Sequence, residues 1–316
     1  MKNHTTIRIG GEAPIFLEPT DENSLVFAIK TCIDKGVKFF VIGGGSNIVV
    51  DEKLDFAIIS TKQFNKVYLS KTPGKAKGLF ELASKAFDES KMEGDDGKRF
   101  MNCDAGATWG NVCNVCAKNG IKGFAEFSGM PGTIGGATYI NATCFGLSVS
   151  DKIHSVRYLD LEDLQIKEYK NDTNDWGYKV SPFQTSKRVI LTVEFEVEKN
   201  HLIPEEEIRK EYYEYLKQRA LKKHFENPSA GSVFRNIPDK GIIAGKIIDE
   251  CGLKGLTVGG AKVADYHGNF IINVHHATSL DVRTLVKMIQ EKVKEEKNVD
   301  LKCEIIFVPE NVDICR

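Results

Sequence analysis

Apolar residues Leu25, Ala28, Ile29, Cys32 and Ile33 recur at helical spacing, so they form one face of a helix, and Gly36 stands where a left-handed C-terminal cap is expected. A run from Val37 to Ile42, interrupted by Lys38, predicts a strand. The chain then turns through Gly43-Gly44-Gly45-Ser46-Asn47 and resumes as Ile48-Val49-Val50, which gives a β-α-β opening. From Phe64 to Val197 strand signals dominate. Val189, Leu191, Val193, Phe195 and Val197 share one face and Thr192, Glu194 and Glu196 the other, as in a half-buried antiparallel sheet. Within this region Lys71 to Arg99 is rich in Lys, Gly and acidic residues, and predicts a surface excursion with a short helix around Leu79 to Phe87.

After Asn200 the pattern changes. Pro204 sits at a helix N1 position, three glutamates fill the first turn, and Ile208, Tyr212, Tyr215, Leu216 and Arg219 follow at helical spacing. Ile243, Ala244, Ile247, Ile248 and Cys251, closed by Gly252, predict a further helix, as do Val282, Leu285, Val286, Ile289 and Val293. Strands are expected at Leu256 to Val258, Asn269 to Val274 and Leu301 to Val308. The chain thus divides into 1–62, a β-α-β part; 63–199, mainly antiparallel sheet; and 200–316, a C-terminal α+β part. No repeat or low-complexity tract interrupts it.

A length of 316 residues suits two or three cores of ordinary size. Lys and Arg number 43 against 44 Asp and Glu, so the overall charge favours neither nucleic acid nor a membrane surface and leaves a small molecule as the expected partner. No apolar leader follows Met1, and no window approaches the roughly 18 apolar residues of a membrane span, so a cytoplasmic protein is expected. Eight cysteines at irregular spacing suit reduced thiols. Cys113 and Cys116 form a C-x-x-C, but they lie in a helical stretch with no second pair at zinc spacing, so core packing is the better reading and no metal site is expected.

Gly43 to Asn47, at a strand end, can bring backbone N–H groups close to an anion, since residues without Cβ leave room and allow positive φ. The spacing matches neither the dinucleotide nor the P-loop motif, and a plain turn is an equal reading. Ser128-Gly129-Met130-Pro131-Gly132-Thr133-Ile134-Gly135-Gly136-Ala137 offers a second cradle; two together suggest one long phosphate ligand, against two unrelated turns. In Ala230-Gly231-Ser232-Val233-Phe234-Arg235-Asn236, no nucleophile elbow surrounds Ser232. It is either a turn residue or a proton donor to a reacting carbon. Glu304, in the apolar run Cys303 to Val308, is either solvent-facing or an inward carboxyl.

In order, these segments resemble the UDP-N-acetylenolpyruvoylglucosamine reductase family, from Thr5-Thr6-Ile7-Arg8-Ile9-Gly10-Gly11 to Glu304-Ile305. Further matching motifs are Tyr178-Lys179-Val180-Ser181-Pro182-Phe183, and Ile248-Asp249-Glu250-Cys251-Gly252-Leu253-Lys254-Gly255 with Val258-Gly259-Gly260-Ala261. The resemblance implies an α+β chain: an FAD-binding region of the vanillyl-alcohol-oxidase (PCMH) type, followed by a C-terminal α+β substrate domain. Gly43, Gly44, Gly45, Ser46, Asn47, Ser128, Pro131, Gly132, Gly135, Gly136 and Asn141 would hold FAD without a covalent bond. Hydride would pass from NADPH through the flavin to UDP-N-acetylglucosamine enolpyruvate, giving UDP-N-acetylmuramate for peptidoglycan and hence for cell shape and division.

By the same resemblance Ser232 protonates the other alkene carbon, while Glu304 and a basic residue bracket the substrate carboxylate. Tyr178, Arg219, Lys222, Asn236 and His267 would contact the rest of the substrate; a solvated helix end is the competing reading for Arg219 and Lys222. The chain departs from the family at Lys179, where the pattern has arginine, and at Asn141-Ala142-Thr143-Cys144-Phe145-Gly146, where it usually has Asn-Ala-Gly-Ala-Tyr-Gly. A monomer is expected. The alternatives are an FAD-dependent oxidase of the same superfamily and a catalytically silent flavin- or UDP-sugar-binding homologue.

Overall fold

The computed structural model describes residues 1–73, 98–185, 187–200 and 202–310. The helix expected around Leu79 to Phe87 lies outside them. The chain forms two compact units, one of Met1–Leu17, Ala28–Ser60 and Gln218–Arg316, the other of Glu18–Phe27 and Thr61–Lys217. No helix among the described residues is long and apolar enough to cross a membrane.

In the first unit, β1 (Phe16–Leu17), β2 (Phe39–Ile42) and β4 (Ala57–Ser60) make a parallel sheet with β4 in the middle. All four β4 residues are buried, as expected of a parallel strand covered on both faces. β3 (Ile48–Val50) pairs in parallel with β16 (Ile306–Val308), Ile48 opposite Ile306, so the residues after the glycine turn are joined to those after Glu304. A second sheet is antiparallel, in the order β12 (Ser229–Ser232), β15 (Phe270–Asn273), β14 (Ala261–Val263), β13 (Thr257–Val258). Helices α5 (Ala244–Glu250) and α6 (Ser279–Lys297) bury Ala244, Ile247, Ile248, Val282, Leu285, Val286, Ile289 and Val293 in one core with Val263, Ile271 and Phe307, whereas Ile243, expected on the apolar face of α5, precedes the helix and is exposed. The start of α6 is pinned by Glu52, whose carboxylate accepts from the Ser279 N–H (2.7 Å) and hydroxyl (2.8 Å). Helix α1 (Glu22–Asp34), whose residues up to Phe27 belong to the second unit, buries Leu25, Ile29 and Cys32 of the predicted face and leaves Ala28 and Ile33 half-buried, and Gly36 beyond it has φ 62°.

The second unit holds a five-stranded antiparallel sheet in the order β10 (Ile166–Lys170), β9 (Ile153–Asp160), β11 (Arg188–Glu198), β6 (Lys98–Asp104), β5 (Val67–Ser70). Helices α2 (Trp109–Lys118) and α3 (Ile134–Tyr139) contribute to its core, where Trp109 stacks on Phe127 at 4.2 Å. The sheet departs from the half-buried pattern at β11: Thr192 and Glu194 are as buried as their apolar neighbours, and only Glu196 and Glu198 are exposed. β11 lies mid-sheet with register shifts at Ile190/Thr192 and Glu194/Phe195, and the Glu194 carboxylate accepts from the Ser155 hydroxyl at 3.2 Å. A polar residue in the alternation marks the solvent face only when no neighbour offers it a partner.

A hairpin of β7 (Thr143–Cys144) and β8 (Leu147–Ser148) follows α3, and α4 (Glu205–Leu221) sends Ile208 and Tyr212 into this unit's core. Cys113 and Cys116 are buried on α2, where desolvation pushes the Cys113 thiol up to about 12. Both thiols pack in the core of this unit.

Candidate active site

In the first unit the glycine turn between β2 and β3 is shaped by what lies behind it. Gly45 has φ 68°, and its carbonyl accepts from the Thr6 N–H at 3.0 Å. A Cβ at Gly45 would stand 2.0 Å from the His4 carbonyl oxygen. Gly45→Ala therefore pays for a left-handed L-residue, about 1–2 kcal/mol, and for a backbone displacement as well. We expect a loss of stability exceeding about 2 kcal/mol, measurable by denaturant titration. Gly43, Gly44, Ser46 and Asn47 are half-buried. Asn47 does more than close the turn: its amide Nδ2 donates to the Glu304 carbonyl at 3.0 Å, and its own carbonyl accepts from the Ile306 N–H at 2.9 Å.

Glu304 is itself half-buried and lies outside any strand, since β16 begins only at Ile306. The expected strand from Leu301 is interrupted because this stretch changes partner. Arg235 N–H donates to the Lys302 carbonyl (2.9 Å), Cys303 bridges Phe234, and Glu304 N–H donates to the Val233 carbonyl (2.7 Å). Only beyond Glu304 does the chain pair with β3. Glu304 is thus held by the residue after Ser232 on one side and by the glycine turn on the other.

Ser232 ends β12, half-buried, after Gly231 with φ 76°. The register of β12 on β15 slips between Ser229 and Ser232, and the chain beyond the slip is gripped by Asn269. The Asn269 carbonyl accepts from Val233 N–H (2.9 Å), its Oδ1 from Phe234 N–H (2.8 Å), and its Nδ2 donates to the Phe234 carbonyl (2.8 Å). Sequence reasoning missed Asn269; its only signal was an amide at the head of the apolar run Phe270 to Val274.

Nearby in the same unit, His267 Nδ1 accepts from Asn269 N–H at 3.1 Å and its ring lies 4.4 Å from that of Phe270. Burial lowers the His267 pKa and, with the neighbouring Arg219 charge, lowers that of His224 to about 4. His224 is therefore an uncharged imidazole at neutral pH. Arg219 is 5% exposed, which rules out a solvated helix end for it, whereas Lys222 is exposed. Asn236 is exposed, and its Oδ1 accepts from Ala244 N–H (2.9 Å), capping α5.

The second unit carries the other glycine segment. Ser128 is buried, Pro131 exposed, and Gly132 has φ 100°. Ile134 and Gly135 N–H groups donate to the Ala107 (2.8 Å) and Ala105 (2.9 Å) carbonyls, which seats α3 against the end of β6. A Cβ on Gly135 would meet the Ala105 carbonyl oxygen at 2.9 Å, whereas one on Gly136 would meet nothing closer than the Thr133 hydroxyl at 3.5 Å. Gly135 serves close packing; Gly136 leaves an open backbone.

Asn141 (φ 43°) is buried after α3, with Nδ2 donating to the Gly177 carbonyl (2.9 Å) and Oδ1 accepting from Ser150 N–H (3.2 Å). It thereby fixes the turn in which Gly177 and Val180 exchange hydrogen bonds of 3.1 and 3.0 Å, with Tyr178 and Lys179 at the corner. The Ser181 hydroxyl ties the far side to the Tyr139 carbonyl at 2.7 Å. Within this turn Tyr178 is 38% exposed while Lys179, at φ 58°, is 8% exposed. A left-handed backbone at a buried non-glycine residue is of the kind found at functional sites.

Ser232, Glu304, the first glycine turn, Arg219, Lys222, Asn236 and His267 thus belong to the first unit, and Lys179, Tyr178, Asn141 and the second glycine segment to the other. Among the described residues no group of three or more His, Cys, Asp or Glu is placed to hold a metal ion.

A family model for the C-terminal domain of UDP-N-acetylenolpyruvoylglucosamine reductase matches residues 223–308. The chain is 34% identical over 319 residues to the UDP-N-acetylenolpyruvoylglucosamine reductase of Treponema denticola, covering 97% of this chain and 91% of that one. It is 35% identical over 310 residues to that of Borrelia garinii, covering 97% and 90%. Its α+β fold is similar to the crystal structure of the reductase from Thermus caldophilus, with a TM-score of 0.71 at 28% identity over 98% of this chain and 97% of the other. With whole-length relatives above 30% identity, and with the glycine turns, Ser232 and Glu304 built into the two units as described, the chain belongs to the UDP-N-acetylenolpyruvoylglucosamine reductase family.

Proposed function

We propose that this chain catalyses the NADPH-dependent, FAD-mediated reduction of UDP-N-acetylglucosamine enolpyruvate to UDP-N-acetylmuramate, a step of peptidoglycan precursor synthesis. The observation that carries this reading within one unit is the hydrogen-bonded run Ser232-Val233, Glu304, Asn47. It ties the proposed proton donor to the proposed carboxyl and to the proposed cofactor turn. The parts 1–62 and 63–199 are proposed to bind FAD, and 200–316 to bind substrate.

The residues present suit an FAD diphosphate. Gly136 keeps an open backbone, Gly132 has a φ that favours glycine, and the Gly43 to Asn47 turn is built on a glycine that admits no Cβ. Gly43, Gly44, Gly45, Ser46, Asn47, Ser128, Pro131, Gly132, Gly135, Gly136 and Asn141 are assigned to the cofactor. Asn141 acts there through its backbone, since its side chain is engaged by Gly177 and Ser150. Bound FAD, reduced by NADPH, supplies the hydride.

Hydride addition to the terminal alkene carbon puts negative charge on the carbon beside the substrate carboxylate, so the site must stabilise an enolate and then deliver a proton. Ser232 is assigned the proton, transferred from its hydroxyl to that carbon, and Glu304 and Lys179 the carboxylate. Arg219, buried yet cationic, is assigned with Lys222 to the diphosphate of the UDP group; Tyr178, Asn236 and His267 complete the substrate contacts.

Lysine keeps the charge of the family's arginine but not its planar fork. A charge-assisted hydrogen bond is worth about 1.5–3 kcal/mol. Lys179→Ala should therefore lower kcat/KM by about 10- to 100-fold, and Lys179→Arg should retain most activity. Steady-state kinetics unchanged in both variants would remove Lys179 from the site.

The reading as a whole is tested anaerobically. The protein is reduced with NADPH, UDP-N-acetylglucosamine enolpyruvate is added, and flavin absorbance is followed. Prompt reoxidation is expected; a flavin that stays reduced overturns the proposal.

A further inference from the structure

We propose that Asn269 is a positioning residue for Ser232, an inference that rests on the proton-donor role given to Ser232 above. β12 carries one more residue than β15 between the pairs Ser229–Ile272 and Ser232–Phe270, so a bulge falls at Ala230-Gly231, immediately before the serine. Bulges re-aim the side chains that follow them, and Gly231 at φ 76° supplies a conformation with little side-chain restraint of its own. The direction of Ser232 is then set by its own pairing with Phe270 and by the residues after it.

Those residues are held by Asn269. Its carbonyl takes Val233 N–H, and its side-chain amide takes both polar backbone groups of Phe234, at 2.9, 2.8 and 2.8 Å. The amide stands in for the strand neighbour that the bulge has displaced. Asn269 is 4% exposed and Phe234 1% exposed, so water does not replace these bonds when they are lost. His267 Nδ1, accepting from Asn269 N–H, holds the clamp from behind. Proton transfer depends steeply on donor placement, and a displacement of about 1 Å costs about 100-fold in rate. An amide that fixes the two residues after the donor acts on that distance without touching substrate.

The experiment is a double-mutant cycle on the flavin-loaded enzyme, with Asn269→Ser, Ser232→Ala and both together. Rates of flavin reduction by NADPH and of reoxidation by the enolpyruvyl substrate are read separately. Asn269→Asp serves as a second variant, because it keeps the acceptor for Phe234 N–H and sets a carboxylate oxygen against the Phe234 carbonyl in place of the amide donor. We expect Asn269→Ser to slow reoxidation by about 10- to 100-fold while leaving reduction by NADPH near its native rate. On the Ser232→Ala background the same substitution should change reoxidation by less than about 3-fold, since residues acting as a unit are non-additive. An equal loss on both backgrounds, or native reoxidation in both Asn269 variants, overturns the positioning role. Native reoxidation in Ser232→Ala alone overturns the donor assignment beneath it, and with it this proposal.

Discussion

Ser232→Ala is expected to slow reoxidation of the reduced enzyme by the enolpyruvyl substrate by roughly 10²- to 10⁴-fold, the usual contribution of a positioned proton donor. Reduction of the flavin by NADPH should remain within about 3-fold of native, because no proton passes from Ser232 in that step and the side chain lost is small. The split between the two half-reactions is the informative quantity. A fold defect would depress both, and a binding defect would be recovered at saturating substrate. A serine hydroxyl is a weak acid, so the alkoxide left after transfer needs nearby donors or positive charge. Ser232→Cys, with a more acidic but larger group, should recover part of the rate. Full reoxidation in Ser232→Ala at saturating substrate would return Ser232 to the status of a turn residue.

Local features of the sequence were legible because local physics sets them. The apolar stripes of α1 and α6 and the glycine turn at 43–45 needed no distant partner to be recognised. Two kinds of feature were not legible. The first is pairing across the chain: nothing near Ile306 indicates that it lies opposite Ile48, nor that Glu304 leaves the strand because its stretch pairs with Val233 to Arg235 before it meets β3. The second is the spending of polar side chains on backbone. Asn269 and Asn141 each satisfy main-chain groups far along the sequence, and Glu194 is buried by its contact with Ser155. In each case alternation or composition suggests a surface or ligand role, and only the three-dimensional partner distinguishes an amide that binds from one that holds. Arg219 shows the converse, a residue that looks like an ordinary cationic helix end and is buried.

Asp104→Asn should stabilise the protein at pH 8 by about 2–4 kcal/mol and change it little at pH 4. Asp104 ends β6 at 5% exposure, immediately before the Ala105 carbonyl on which Gly135 seats α3. Its Oδ2 accepts from Lys66 N–H at 3.0 Å, but this does not repay desolvation, and burial pushes its pKa from 3.8 to about 7, with the Glu22 carboxylate adding to the rise. A carboxyl raised in the folded state favours folding while it is protonated. Its contribution is complete below about pH 4, declines as the pH climbs, and is gone above about 7, for a total of up to about 4 kcal/mol. Asparagine keeps the acceptor for Lys66 N–H and never ionises, so the variant should escape that decline. His224, lowered to about 4, works in the opposite direction by losing stability as the pH falls below about 6.5, but it is common to both proteins and cancels in the comparison. Urea titrations of the two proteins at pH 4 and pH 8 measure the difference directly. An equal effect of the substitution at both values would mean that Asp104 folds already ionised, and that the end of β6 is more solvated than its burial implies.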